Sequence, residues 1–82
     1  MSILQYPLST EKAVKLMESE NKITFIVDLH AKKPEIKKEF QDMFKVKVLD
    51  VNTLILKGKK KAYIKLAAEN PAIDIATKLG IM

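Results

Sequence analysis

Residues Val46 to Leu66 read VKVLDVNTLILKGKKKAYIKL, two extended runs separated by Gly58. The first run is rich in valine, leucine and isoleucine. The second run alternates between two sets of side chains: Ala62, Ile64 and Leu66, and Lys61, Tyr63 and Lys65. Such alternation is typical of a strand with one face on a core and one face in water. The short join contains a glycine, which can adopt the positive φ of a tight turn. The stretch therefore predicts a β-hairpin.

Lysine dominates the turn of this hairpin, at positions 57, 59, 60 and 61. Residues 32–65 hold eleven lysines and four acidic residues, a net charge of +7, whereas the segments on either side each carry a net charge of −1. A basic zone on a small protein indicates a polyanionic partner, most often nucleic acid. A lysine-rich surface also serves solubility, and composition alone favours neither interpretation. Arginine, which supplies the bidentate fork for guanine edges, is absent, so we expect recognition of phosphate positions and shape.

The composition excludes several classes of protein. The chain has no cysteine, so it holds neither a disulfide framework nor a thiolate zinc site. No apolar run approaches the ~20 residues of a membrane span. The first ten residues, MSILQYPLST, lack the basic and apolar regions of a signal peptide. We therefore expect a cytoplasmic protein with no membrane span and a single domain, residues 1–82.

Helix and strand signals precede the hairpin. Residues 3–7 predict a short extended lead-in, which Pro7 keeps from becoming a long strand. Ser9 or Thr10 then fits the N-cap of a helix of about ten residues that ends near Asn21. Residues 22–28 alternate and are rich in β-branched side chains, so they predict the first firm strand.

A second helix starts at Pro34, and a third follows the hairpin. The second helix carries an apolar stripe that we interpret as core: Ile36, Phe40, Met43 and Phe44. The third begins with Asn70 as cap and Pro71 at the first helical position, and it ends at Gly80 in the left-handed conformation, with Ile81 folding back. The order helix, strand, helix, strand, strand, helix predicts an α+β fold, with helices packed on an antiparallel three- or four-stranded sheet.

Three collinear motifs resemble the universal large-subunit ribosomal protein L-twenty-three family. Residues 7–12, PLSTEK, are similar to the family's proline and Ser/Thr-Glu-Lys helix start. Residues 51–54, VNTL, are similar to the Val-Asn-Thr of its hairpin, and residues 60–67, KKAYIKLA, precede Ile75 at the family's spacing. Bacterial members carry a long basic hairpin extension that reaches into the exit tunnel. The short turn here resembles the archaeal form, so no contact between this hairpin and the nascent chain is implied.

The resemblance implies a structural constituent of the large ribosomal subunit, on the ribosome in the cytoplasm. It implies large-subunit ribosomal RNA near the polypeptide exit tunnel as a partner. It also implies neighbouring large-subunit ribosomal proteins, and signal recognition particle or other exit-site factors such as chaperones. The residues that match the family's RNA contacts are Lys12, Asn52, Thr53, Lys60 and Lys61. Glu11 matches the acidic position for factor docking. We add Lys57, Lys59 and Lys65 to the RNA-binding set because their charges displace counterions.

Two other interpretations remain open at this stage. Asn52 and Thr53 can donate to phosphate or 2′-hydroxyl groups, or can be satisfied internally at a bulged strand position. A stand-alone RNA-binding or protein-interaction module off the ribosome is the alternative function. An RRM-type reader needs exposed aromatics, and only Tyr63 can serve, by stacking on a base, unless it covers a helix instead.

We predict no enzymatic activity, cofactor, metal or small-molecule substrate. The chain has no arginine for an acylphosphatase-like site, no Gly-rich phosphate loop, and no metal-ligand cluster or nucleophile–base pair. His30 is the only histidine and is interpreted as a loop residue.

Overall fold

A four-stranded antiparallel sheet organises the chain, and the computed structural model describes residues 3–81. The elements in order are β1 (Leu4–Pro7), α1 (Glu11–Glu20), β2 (Lys22–Val27), α2 (Lys33–Phe44), β3 (Val48–Leu56), β4 (Lys59–Leu66) and α3 (Ala72–Leu79). The strand order in the sheet is β1-β2-β4-β3. The predicted α+β class and element order are confirmed, and the lead-in is a fourth strand paired with β2. No helix within residues 3–81 is long and apolar enough to cross a membrane.

One face of the sheet, which we call the core face, packs against the helices. Buried side chains of β2 and β4 form its centre, in the order Ile23, Phe25, Val27, Ala62, Ile64 and Leu66. Ile36 and Phe40 of α2 are fully buried against them, as is Ile75 of α3. Phe25 and Phe40 meet edge to face, with ring centroids 5.7 Å apart. Burial of each such side chain stabilises the fold by about 1.5–3 kcal/mol.

The turn between β3 and β4 contains two residues with positive φ. Lys57 has φ 52° and Gly58 has φ 76°. Two central residues of this kind make a type I′ turn, whose twist matches that of the flanking strands. The hairpin is confirmed, and its turn needs the left-handed conformation at two positions rather than one.

Local capping signals are confirmed for α1 and for the end of α3. The Ala13 N–H donates to Thr10 Oγ1 over 3.2 Å, and Asn21 ends α1 in the left-handed conformation. Gly80 ends α3 with φ 76°, and the Ile81 N–H donates to the Ala76 carbonyl over 3.1 Å.

The predicted start of α3 is wrong in detail. Pro71 is the N-cap rather than the first helical residue. The Ala72 N–H is capped by Oδ1 of Asn21, over 2.6 Å, whereas Asn70 Oδ1 accepts from the Lys47 N–H over 3.0 Å. A side chain about fifty residues earlier in the chain therefore takes the place of the local cap.

One burial prediction is also wrong. Met43 is 51% exposed, because α2 directs only the neighbouring positions of its stripe into the core. Thr24 and Ile26 of β2 alternate with the core residues of that strand and are themselves only 3% and 4% exposed. Thr24 lies beside Ala13 and Leu16 of α1, and Ile26 lies between Tyr6 of β1 and Lys61 of β4.

Candidate nucleic-acid interface

The second face of the sheet carries most of the predicted RNA-binding lysines. In an antiparallel pair, residues opposite each other share a face. Tyr63 lies opposite Asn52, Lys61 opposite Leu54, and Lys65 opposite Asp50. We call this surface the lysine face, and its members are Lys59, Lys61, Tyr63 and Lys65 of β4 and Asp50, Asn52, Leu54 and Leu56 of β3. Alternate residues along a strand are roughly 7 Å apart, so Lys59 and Lys61 present a row of charge.

No lysine of this face forms an ion pair in the part of the chain that the structure describes, although Asp50 lies opposite Lys65. The ion pairs within residues 3–81 join Lys15 to Glu11 and Lys22 to Glu20, so neither includes a lysine of β4, although Lys22 lies opposite Lys65. Lys59 Nζ donates to the Tyr6 hydroxyl over 3.2 Å and lies 5.9 Å from the ring centroid. That contact orients the ammonium group but leaves its charge available to a phosphate.

Asn52 is exposed at the centre of the lysine face. Its side chain makes no hydrogen bond to any residue between 3 and 81. The interpretation that this amide is satisfied internally therefore loses its support. Asn52 instead presents an amide donor and acceptor beside the Tyr63 ring.

Lys12 reaches the lysine face from a different element. The Leu8 N–H donates to the Thr24 carbonyl over 2.9 Å, which fixes the chain where it enters α1. Lys12 then lines a notch together with Thr24, Lys61 and Tyr63. The notch holds about 20 Å³, room for one water-sized group. The fold therefore brings together two predicted lysines that are far apart in sequence.

Thr53 and Lys60 lie on the opposite side of the sheet from the lysine face. Thr53 is half-buried opposite Ala62, a core residue. The Lys60 ammonium donates to the Ala31 carbonyl, in the loop before α2. Lys57 is exposed in the turn between the two faces. The predicted set is thus divided, and one surface cannot use all of it at once.

Glu11, the predicted docking residue, opens α1. Its carboxylate lies 3.8 Å from Lys15 Nζ, and the two side chains are 88% and 75% exposed. An exposed pair of this kind contributes at most ~1 kcal/mol, so it does not hold Glu11 away from a partner.

Sequence reasoning missed three residues of the lysine face, namely Asp50, Leu54 and Leu56, and also Tyr6, which contacts Lys59. Tyr6 lies opposite Ile26 on β1, and its position follows only once the lead-in is recognised as a strand. Leu54 and Leu56 follow Asn52 at every second position of β3, so the period of the strand places them on the same face as Asn52 and could have identified them.

The structure gives no sign of a metal centre within residues 3–81, since no three histidine or acidic side chains there are grouped to hold an ion. His30 lies in an exposed loop, where its backbone N–H donates to Asp28 Oδ1 over 3.0 Å.

Comparison with known proteins shows the family of the chain. The profile of the family described as "Ribosomal protein L23" matches residues 2–75. The chain is 51% identical over 81 residues to "Large ribosomal subunit protein uL23" of Trypanosoma brucei brucei, covering 98% of this chain and 49% of that protein. It is 46% identical over 82 residues to the protein of the same name from Tetrahymena thermophila, covering 99% of this chain and 55% of that protein. The chain therefore spans about half the length of these curated relatives. It belongs to the ribosomal protein L23 family.

Proposed function

We propose that the chain is a structural constituent of the large ribosomal subunit, on the ribosome in the cytoplasm. In this proposal it binds large-subunit ribosomal RNA near the polypeptide exit tunnel through the lysine face. The row of lysines on β4, none of which forms an ion pair within residues 3–81, is the observation that supports it. Membership of the ribosomal protein L23 family supports the ribosomal assignment.

The chemistry of the face suits RNA backbone. Each lysine that meets a phosphate releases condensed counterions, which supplies affinity without reading sequence. Asn52 adds a group that can hydrogen-bond a 2′-hydroxyl, the feature that distinguishes RNA from DNA. Lys12 extends the positive surface along α1, and Lys57 extends it over the turn.

The division of the predicted set gives its members different roles. Lys60 holds the loop at Ala31, so we assign it a structural role in the free protein. Thr53 faces away from the lysine face, so any RNA contact it makes is with a second segment. Glu11 stays a proposed docking position for signal recognition particle or another exit-site factor. The short turn is the reason for proposing an archaeal-type form.

The test compares two triple variants in a filter-binding titration with large-subunit ribosomal RNA. One variant carries Lys59→Gln, Lys61→Gln and Lys65→Gln. The matched control carries the same change at Lys38, Lys45 and Lys78, which are exposed on or beside α2 and α3. Both variants lose the same net charge, so a difference between them reports position.

We expect the lysine-face variant to bind more weakly and to depend less on salt. Three lost phosphate contacts lower the slope of log K against log salt by about 2–3, whereas the control changes it by less than about 1. Equal losses in the two variants would contradict the lysine face as the RNA-binding surface.

The alternative, a stand-alone module off the ribosome, predicts a different pattern. Such a module binds unrelated RNA, or a protein, as well as it binds large-subunit ribosomal RNA. Competition by an unrelated transcript of equal length, at the same salt concentration, separates the two functions.

A further inference from the structure

The outer edge of β3 has no strand beside it, because β3 ends the sheet order. In a hairpin with a two-residue turn, Leu56 and Lys59 form a hydrogen-bonded pair. Residues 51, 53 and 55 of β3 therefore direct their backbone N–H groups outward. The Val51 N–H is satisfied by Asp50 Oδ1, over 2.9 Å. Thr53 and Ile55 direct theirs to solvent, with no partner among the described hydrogen bonds.

The same end of β3 exposes three consecutive apolar side chains. Leu54, Ile55 and Leu56 are 48%, 61% and 50% exposed. Leu54 and Leu56 lie on the lysine face, and Ile55 lies on the other side, so both sides of the edge are apolar. Proteins usually protect a free edge with proline, inward charge or a bulge, because unpaired N–H and C=O groups recruit another strand. Asp50 protects only the Val51 end of this one.

Lysines flank the free edge at both ends. Lys57 follows Leu56 in the turn. At the other end, an apolar groove of about 320 Å³ lies between α2 and β3, lined by Pro34, Leu49 and Val51. Lys33, Lys37 and Asp50 also line this groove, so its charged side chains sum to a net charge of +1. A segment lying along β3 would meet apolar surface in its middle and positive charge at its ends.

We propose that the outer edge of β3 at residues 53–56 binds an extended segment of another protein of the large subunit. The segment is apolar in its middle and acidic at its ends, and it adds a fifth strand to the sheet beside β3. Backbone hydrogen bonds to Thr53 and Ile55 give affinity, and contacts with Leu54, Ile55 and Leu56 give register. This proposal rests on the proposed function, because it places the partner in the assembled subunit.

The first experiment uses the absence of cysteine from the chain. Ile55→Cys and Lys65→Cys variants are isolated in large subunits, labelled with benzophenone-maleimide and irradiated. We expect the label at position 55 to crosslink to protein and the label at position 65 to crosslink to RNA. If the labels at both positions crosslink only to RNA, the edge proposal is overturned and the proposed function stands. Absence of both variants from large subunits overturns the proposed function.

The second experiment tests strand addition itself. The crosslinked segment is synthesised as a peptide and titrated against the free chain by fluorescence anisotropy. Ile55→Pro removes one outward N–H, which an edge strand tolerates, and should weaken binding by roughly threefold to tenfold, the effect of one backbone hydrogen bond. Ile55→Val keeps the N–H and should bind within about twofold of wild type.

Amide exchange on the wild-type chain gives the same test without a substitution. The peptide should slow exchange of the Thr53 and Ile55 amides. Unchanged exchange, or equal binding by a folded Ile55→Pro variant, overturns strand addition.

Discussion

Asn21 connects three parts of the fold, so its replacement should lower stability strongly without affecting the lysine face. Its Nδ2 lies 3.1 Å from the Leu66 carbonyl, 3.0 Å from that of Ala67 and 3.2 Å from that of Asn70. Its Oδ1 accepts from the Ala72 N–H at the start of α3. One side chain thus holds the end of α1 to the segment between β4 and α3.

The expected loss can be worked out from these contacts. Two amide hydrogens share three acceptors, so at most two of those bonds form fully, and the bond to Ala72 makes three. At about 1 kcal/mol each, they contribute about 3 kcal/mol. Asn21 also has φ 55°, a conformation that alanine adopts at a cost of about 1 kcal/mol more than glycine or asparagine. Asn21→Gly should therefore lose about 3 kcal/mol and Asn21→Ala about 4 kcal/mol.

These losses are large for a chain of 82 residues, whose whole stability is about 4–12 kcal/mol. Thermal unfolding followed by circular dichroism should show Asn21→Gly melting at least ~12 °C below wild type, because 1 kcal/mol corresponds to about 4–8 °C in a domain of this size. Ribosomal RNA binding, measured well below the melting temperature, should be unchanged. A fall of less than about 1 kcal/mol in either variant would refute the assigned network.

Three further substitutions test single contacts. Thr24 Oγ1 is buried with no hydrogen-bond partner among residues 3–81, so Thr24→Val should raise the free energy of unfolding by about 1 kcal/mol; a lower melting temperature would contradict this. The Cβ that Gly58→Ala adds has no atom within 4 Å, so the positive φ alone should lower the free energy of unfolding, by about 1 kcal/mol in urea unfolding. An unchanged urea midpoint would be inconsistent with the turn. Lys60→Gln should lower stability by about 1 kcal/mol through the lost bond to Ala31. A drop in RNA affinity equal to that of Lys61→Gln, with stability unchanged, would instead place Lys60 at the RNA.

Sequence signals predicted a helix boundary correctly where the capping residue is adjacent in sequence to the helix that it caps. Thr10 caps α1 and Gly80 ends α3 as expected, because each satisfies backbone groups within a few residues of itself. The alternation of β4 gave the correct face to Lys61, Tyr63 and Lys65, because the residues between and beyond them, Ala62, Ile64 and Leu66, are buried in the core.

Long-range contacts explain the failures. Asn70 has the right identity for a cap, but Asn21 occupies the cap position because the end of α1 packs beside α3. The burial of Thr24 and Ile26 follows only once α1, β1 and β4 are placed beside them. No pattern within a single strand contains that information.

The candidate site, too, could be predicted only in part from the sequence. Family motifs selected Thr53 and Lys60 together with Asn52 and Lys61, although strand parity places the two pairs on opposite faces. The alternation of side chains along β3 and β4 can be read from the sequence. The contact of Lys12 with the notch beside Tyr63 cannot, because it depends on how α1 crosses β2. Tyr63 lines that notch beside α1, so stacking on a base and covering the helix both stay open as predictions.

Sedimentation of a cell lysate through a sucrose gradient, with a high-salt wash and a blot for this protein, examines the ribosomal proposal in the cell. A protein held to ribosomal RNA by the lysine face and by neighbouring proteins should migrate with large subunits and remain there through the wash. Recovery mainly at the top of the gradient would contradict the account and favour an RNA-binding or interaction module off the ribosome.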